Sequence, residues 1–195
     1  GGHDDAVARA TFVQARRDHL PAYAAMAQEA LRSPRERVPG QRAPAPHRTH
    51  AATLARLVRH GELHASLVDA APVAFFAVTR CPGTCWPPDA VDAFYLARVV
   101  VAPAWRGRGL GRAIVEWSAA HAAAQGASVL RLDGRDGDER LGGFYASLGF
   151  RVVGRATTLG NDAPALRERA LRAPCSTCRF IVSAGSDPAR HPGRA

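Results

Sequence analysis

The stretch Val101-Ala-Pro-Ala-Trp-Arg-Gly-Arg-Gly-Leu-Gly-Arg112 joins an apolar run to an amphipathic run, and the interpretation of the whole chain starts from it. The apolar run Phe94 to Val101 predicts a buried strand, and apolar residues recurring at helical spacing from Leu110 onward predict a helix. Because glycine has no Cβ, the backbone N–H groups of this stretch can approach a ligand closely. Such groups at the start of a helix, with arginines around them, predict a site for an anion such as a pyrophosphate.

Two other phosphate-binding loops are excluded by the order of the residues. A Walker loop needs Gly-Lys-Ser/Thr at the helix start, whereas this helix opens Gly111-Arg112-Ala113, without a lysine or a hydroxyl for magnesium. The dinucleotide fingerprint Gly-x-Gly-x-x-Gly fails from Gly107, where the sixth position is Arg112, and from Gly109, where it is Ile114. A glycine-rich turn without a ligand remains the alternative for this stretch taken alone.

A second stretch, Asp138-Glu-Arg-Leu-Gly-Gly-Phe-Tyr-Ala-Ser-Leu-Gly-Phe150, favours a ligand site. The first stretch resembles motif A of the GNAT superfamily of acyl-CoA-dependent N-acyltransferases, Arg/Gln-x-x-Gly-x-Gly/Ala, through Arg106-Gly-Arg-Gly-Leu-Gly111. The second resembles motif B, Asn-x-x-Leu-x-x-Phe-Tyr-x-x-x-Gly-Phe, with Asp138 in place of the usual asparagine. The spacing between the motifs fits one helix and one strand, and the resemblance covers about Phe94 to Gly154.

The resemblance implies an α/β protein with the GNAT fold. We expect a central mixed, mostly antiparallel sheet of six to seven strands, splayed between strands 4 and 5 and flanked by about four helices. The predicted strands are Thr11 to Arg16, Glu62 to Val68, Pro72 to Thr79, Ala90 to Val101, Ser128 to Leu132, Phe150 to Arg155 and Cys178 to Ser183. The predicted helices are Leu20 to Leu31, His50 to His60, one from the glycine loop to about Gln125, a short one capped by Asp138, and Leu166 to Leu171.

The chain is interpreted as a single domain from residue 4 to residue 186. Residues 1–3 are expected to be a cloning scar or a disordered terminus, and residues 187–195 a disordered basic tail. The proline- and arginine-rich segment Ser33 to His47 predicts a mobile loop between the first two helices.

The resemblance also implies where acetyl-CoA binds. In the family, the pantetheine arm lies in the splay and pairs with the backbone of strand four, here Val99, Val100 and Val101. The pyrophosphate rests on the glycine loop, whose predicted contacts are Arg106, Gly107, Arg108, Gly109, Leu110, Gly111 and Arg112. Asp138 and Tyr145 complete the predicted cofactor contacts.

The implied reaction is direct attack of a primary amine on an acetyl or short acyl thioester in a ternary complex. Positioning of the two reactants lowers much of the barrier, and an N–H of strand four stabilises the developing oxyanion. Tyr145 matches the family's general-acid tyrosine, which protonates the departing thiolate. The general base carries no motif: His64 and Asp92 are the candidates by position, with Glu62 and Tyr95 left open, and His64 is favoured by its ordinary pKa near neutrality.

Composition agrees with a globular domain and argues against other classes. The chain has 195 residues, 47% of them hydrophobic, and a net charge of +9. Its arginines are scattered and aromatic residues make up 7%, so nucleic acid is not an expected partner. Without a membrane-length apolar run or a secretory signal, the expected location is cytoplasmic. We expect a small-molecule or peptide amine as acceptor and a monomer or homodimer, the alternatives being a silent acyl-CoA sensor or a basic nucleic-acid-binding protein.

Four cysteines form the pairs Cys81-x-x-x-Cys85 and Cys175-x-x-Cys178, a spacing that also occurs in zinc sites. In the expected fold the two pairs lie at opposite ends of the sheet, separated by roughly 25 Å for a strand of about eight residues. No metal is therefore predicted. Reduced thiols are expected, and a local Cys81–Cys85 disulfide is the alternative.

Overall fold

A seven-stranded sheet organises the part of the chain that the computed structural model describes, residues 10–32, 51–134, 139–156 and 163–171. The strands are β1 Thr11–Gln14, β2 Leu63–Val68, β3 Ala71–Thr79, β4 Ala93–Val101, β5 Val129–Gly134, β6 Arg151–Arg155 and β7 Ala165–Ala170. The helices are α1 Leu20–Arg32, α2 Ala51–Arg59, α3 Leu110–Ala124 and α4 Glu139–Ser147, with short 3-10 turns at Arg17–His19 and Pro103–Trp105.

The sheet is mixed, with the order β1-β2-β3-β4-β5-β7-β6. Its neighbours are antiparallel apart from β4 and β5, which are parallel, as a strand–helix–strand connection through α3 requires. The β4–β5 pairing involves Ala93–Tyr95 on β4 and stops there, while β5 continues to Gly134 paired with β7. The two strands therefore part towards their carboxyl ends, which confirms the predicted splay.

The strand β4 contains a bulge just where it leaves β5. Ala97 pairs with Ala77 of β3, and the next registered pair joins Val100 to Phe75, so β4 has one extra residue. Arg98 lies within this bulge and has a φ of +54°, a left-handed conformation that non-glycine residues seldom adopt. A bulge bends a strand and re-aims its neighbours, and here it lies on the border of the splay.

The two faces of the sheet are covered by different helices. The α3 face carries the larger core, in which Leu110 and Ile114 of α3 pack with Phe76 of β3 and Leu130 of β5. The inner face of α4 joins the same core through Phe144 and Tyr145. On the opposite face, Tyr23 of α1 and Leu54 and Leu57 of α2 pack on residues of β2 and β3. The connection between β3 and β4 lays Trp86 over that second face beside Tyr95 and Leu166.

One predicted element is wrong. Leu166 to Leu171 is not a helix, because Ala165–Ala170 is the strand β7, which pairs with β5 on one side and β6 on the other. The sequence Ala-Leu-Arg-Glu-Arg-Ala is rich in good helix formers. Pairing with two neighbours overrides that local preference, since strand formation depends strongly on context.

Several predictions fall on residues outside the described ranges and stay predictions. These are the Ser33 to His47 loop, Asp138, the strand Cys178 to Ser183, the cysteines Cys175 and Cys178, and the segments 1–3 and 187–195. The domain limits at residues 4 and 186 stay predictions for the same reason. Within the described ranges, Cys81 and Cys85 are free thiols.

None of the helices described is both long and apolar enough to cross a membrane.

Candidate active site

The glycine loop connects β4 to α3 at the open end of the splay. Gly107 has a φ of +72° and Gly109, the residue that precedes α3, a φ of +82°. Both conformations favour glycine, and left-handed residues of this kind are typical of anion-binding nests of backbone N–H groups. A Cβ added at Gly107 would meet nothing within 4 Å, so the space above the loop is open.

The helix α3 begins without a capping side chain and without an acidic residue in its first turn, as far as the described residues show. Its first N–H groups and the positive end of its dipole therefore face the loop. Gly111 has a different role from the other two glycines, since a Cβ there would lie 3.6 Å from the Phe144 ring. It allows α3 to pack closely against α4.

Each of the three arginines of the loop has a different contact. Arg106 donates from Nε to the Val101 carbonyl oxygen at 3.1 Å and so folds back on the start of the loop. The Arg108 guanidinium lies 5.4 Å from the Trp105 ring centroid, and Arg112 donates to Ser147 Oγ at 3.3 Å. With no acid between Val101 and Arg112, the loop is an electropositive surface.

Val99, Val100 and Val101 lie on the part of β4 that has no partner on β5. Val100 and Val101 still pair with Phe75 and Ala74 of β3, so the strand keeps its shape. An unpaired strand edge offers backbone donors and acceptors to any extended chain that lies along it. The structure thus brings the predicted strand-four contacts and the glycine loop together along one cleft.

Tyr145 lies half-buried on the inner face of α4. Its ring meets Phe144 and Phe150 edge-on, with centroid distances of 5.3 and 5.7 Å. Burial raises the pKa of the phenol, the nearby Arg167 charge lowers it, and the Asp133 charge raises it. With the pKa above its ordinary value of 10, the hydroxyl stays protonated at neutral pH and can donate a proton.

Asp133 is a residue that our sequence interpretation missed. It lies near the carboxyl end of β5, past the point where β4 and β5 separate, and it is exposed. Burial raises the pKa of the Cys85 thiol, and the charge and hydrogen bond of Asp133 raise it further. The charge of Asp133 also raises the pKa of Tyr145, although Asp133 pairs with Leu166 on the Trp86 side of the sheet. A carboxylate directly after Leu132, at the end of the predicted strand Ser128 to Leu132, is the signal that could have revealed it.

The structure does not bring His64 to this cleft. His64 is 4% exposed on the α3 face, with the rings of Trp117 and His121 at 4.8 and 5.0 Å. Neither ring nitrogen has a hydrogen-bond partner among the residues described. Burial, helped by the like charge of His121, lowers the pKa of His64 from 6.5 to about 3. A ring enclosed in this way lacks access to an incoming amine.

Asp92 is also distant from the glycine loop. It precedes β4 at the closed end of the strand, where it forms an ion pair with Arg80. The nine residues of β4 separate it from the loop, a distance of roughly 30 Å at ~3.3 Å per residue.

The two open candidates have structural partners. Glu62 accepts a hydrogen bond from Thr79 Oγ1 at 2.7 Å, and the Tyr95 hydroxyl accepts one from Arg131 at 3.2 Å. None of the four base candidates therefore joins Tyr145 in the cleft on the geometry of the described residues.

Comparison with known protein families agrees with this geometry. The profile of the acetyltransferase (GNAT) domain matches residues 62–152. Residues 62–152 are thus similar to the GNAT acetyltransferase domain. The match extends from the start of β2 into β6 and includes β4, the glycine loop, α3 and α4. Comparison with curated protein sequences gave no match.

Solved structures share the GNAT fold over most of their length. A GNAT-family acetyltransferase from Listeria monocytogenes 4b F2365 is 18% identical with a TM-score of 0.68, covering 83% of this chain and 95% of that one. The ribosomal-protein-S18-alanine N-acetyltransferase from Escherichia coli is 21% identical with a TM-score of 0.59, at 88% and 99% coverage. The paiA N-acetyltransferase from Thermoplasma acidophilum, in complex with coenzyme A, is 12% identical with a TM-score of 0.65, at 83% and 98% coverage. At these identities the likeness establishes the fold.

Proposed function

We propose that this protein transfers an acetyl or other short acyl group from acyl-CoA to a primary amine, by direct attack in a ternary complex. The observation that carries the proposal is the splay that leaves the edge of β4 at Val99–Val101 without a partner on β5, directly before the glycine loop. The GNAT profile match and the acetyltransferase neighbours support it.

The residues of the cleft fit acyl-CoA, which supplies an activated thioester. The N–H groups at Gly107 and Gly109, the uncapped start of α3 and the loop arginines suit a pyrophosphate. The edge of β4 at Val99–Val101 suits the amides of a pantetheine arm. An N–H at the same edge can stabilise the negative charge that develops on the thioester oxygen when the amine attacks.

Tyr145 is proposed as the general acid that protonates the departing thiolate. Its position on α4, beside the end of the glycine loop through the Gly111–Phe144 contact, supports this role. Asp133 is proposed to receive the proton that the amine loses, directly or through water, because it is an exposed carboxylate on β5 past the point where β4 and β5 separate. A carboxylate there also attracts an ammonium group from solvent.

The acceptor can be found with a panel of amines, peptides and aminoglycosides offered with acetyl-CoA. Acetylated products should be detected by mass spectrometry, because Cys81 is an exposed thiol and would react with reagents that detect released CoA.

The Asp133→Asn variant should turn over the identified acceptor at least ~10-fold more slowly than the wild type, in the range of general base catalysis. If acyl-CoA binds but no acceptor in a broad panel is modified, the silent sensor becomes the better account. Salt-sensitive DNA binding without CoA binding would favour the nucleic-acid alternative.

The cytoplasmic location and the monomeric or homodimeric state remain predictions of this proposal.

A further inference from the structure

Two buried arginines on neighbouring strands have contrasting surroundings. The Arg131 guanidinium on β5 is bound by Asp89 at 2.7 Å and Glu168 at 2.9 Å. Arg167 on β7 is equally buried, at 5% exposure. Within the residues described, its hydrogen bond is a long one, 3.4 Å from Nη1 to the Gly134 carbonyl oxygen, and no carboxylate forms an ion pair with it.

The Arg167 guanidinium lies between the end of β5 and the inner face of α4. A Cβ added at Gly134 would be 3.5 Å from Nη1, and one added at Gly142 would be 3.7 Å from Nη2. The two glycines thus leave the space that the guanidinium occupies. The strand register gives the same position for the Arg167 side chain. Arg167 pairs with Leu132, and paired residues share a face of the sheet, here the face covered by α3 and α4.

Tyr145 is the functional neighbour of this guanidinium. Gly142 and Tyr145 are three residues apart on α4, so both lie on the helix face that Arg167 contacts. The charged groups that act on the phenol are Arg167 from β7 and Asp133 from β5, and its ring neighbours Phe144 and Phe150 are apolar. In these surroundings Arg167 is the group that can stabilise negative charge on the tyrosine oxygen.

We propose that Arg167 is a positioning residue for the transfer reaction: it holds the Tyr145 hydroxyl ready as a donor and stabilises the phenolate left after the proton moves. The proposal rests on the proposed function. When the thioester C–S bond breaks, its electron pair stays on sulfur, and the Tyr145 proton passes to that sulfur to form the thiol. The phenolate beside Arg167 then regains a proton from solvent, and the proton that the attacking amine loses passes to Asp133, directly or through water.

The test is a spectroscopic titration of Tyr145 that does not require turnover. Phenolate absorbance is recorded against pH for each protein and for its Tyr145→Phe counterpart, so that the difference isolates Tyr145 from the other two tyrosines. Arg167→Met removes the charge and the donor, Arg167→Gln removes the charge and keeps a donor for Gly134, and Arg167→Lys keeps the charge. Arg169→Met is the matched control on the same strand, because Arg169 bonds Glu116 instead.

Loss of the Arg167 charge should raise the Tyr145 midpoint by about one pH unit in Arg167→Met and Arg167→Gln. Arg167→Lys and Arg169→Met should titrate like the wild type. An unchanged midpoint in Arg167→Gln, or in whichever neutral variant folds, would overturn the proposal even if no amine is ever acetylated. If the midpoint rises, kcat with an identified acceptor should fall by about 10-fold while the KM for acyl-CoA stays level. The double variant Arg167→Gln/Tyr145→Phe should then have the same kcat as Tyr145→Phe alone. A kcat reduced by the product of the two single effects would also contradict the proposal.

Discussion

The strand β4 has two parts that differ in their partners. Ala93–Tyr95 is joined to β5, and its Phe94 is 4% exposed in the core under α3. Val99–Val101 is joined to β3 alone, and Val99 is 36% exposed at the splay. One strand therefore supplies both a closed region that stabilises the sheet and an open region whose backbone is left for a ligand. Mutations in the two regions should separate stability from binding.

The largest expected effect is in the closed region. Phe94→Ala removes a buried ring that contacts His121 and lies under the Arg80 guanidinium, and should lower the free energy of unfolding by about 3–5 kcal/mol. The matched change in the open region, Val99→Ala, should cost about 0.5 kcal/mol or less because the side chain is part-exposed. Urea denaturation of both variants measures the contrast, and equal losses would mean that the two regions are not distinct.

Gly109→Val should have the next largest effect, on ligand binding at the glycine loop that follows the open region. Valine disfavours a φ of +82° and places a branched side chain beside the proposed phosphates. We expect acetyl-CoA affinity to fall by about 100-fold or more, roughly 2.7 kcal/mol, measured by calorimetry. Arg106→Ala keeps the loop amides and should weaken binding less. Normal binding by a folded Gly109→Val protein would place the phosphates elsewhere.

Tyr145→Phe removes a hydroxyl and keeps the ring that packs on Phe150. If the phenol protonates the thiolate, kcat at pH 7 should fall by about 100-fold, with little change in acyl-CoA affinity. The defect should shrink above pH ~8.5, where a thiolate can leave without a donor. Tyr95→Phe, which removes a hydroxyl bonded to Arg131, should keep near-normal kcat. Full activity of Tyr145→Phe would reduce this residue to a packing role.

His64 provides the smallest effect, and it concerns the core under α3 to which the closed region also belongs. The folded-state pKa of about 3 lies below the ordinary 6.5, so between these values the unfolded chain binds a proton that the folded chain excludes. Stability is therefore full above pH ~6.5 and falls with acidification through that window, by about 1.4 kcal/mol per pH unit. The half-buried His121, whose pKa is also lowered by burial, adds to the same trend.

His64→Phe should accordingly reduce the loss of stability between pH 6.5 and pH 5.5 by about 1 kcal/mol. The exposed His60→Gln serves as control, and chemical denaturation at the two pH values gives the comparison. We also expect His64→Phe to retain turnover. A pH dependence unchanged from the wild type, or a loss of activity in a stable His64→Phe protein, would return His64 to the list of candidate bases.

The parts of the fold that sequence could predict are those in which local signals agree with packing. The glycine loop, the start of α3 and the left-handed Gly149 after α4, with a φ of +83°, all follow from residue type. The strand β7 could not be predicted in this way, because its Arg-Glu-Arg core favours a helix and pairing decides otherwise. The bulge at Arg98 carries no glycine or proline to mark it.

The site was less predictable than the fold because it depends on which face each residue occupies. Alternation along β2 puts His64 on the face opposite Leu63 and Ala65, but the sequence does not tell which helices cover which face. Asp133 and Arg167 become notable only when β5, β7 and α4 are placed together. Their roles are properties of packing between distant segments.

The central claim is that the open region of β4 and the glycine loop bind acyl-CoA. A thermal denaturation titration with acetyl-CoA tests it most directly, since a ligand that binds the folded state alone stabilises it by about 2.7 kcal/mol at 100 times its Kd. We predict a saturable rise in Tm for the wild-type protein and none for Gly109→Val. The absence of any change in wild-type Tm with acetyl-CoA and a series of longer acyl-CoAs would contradict the account.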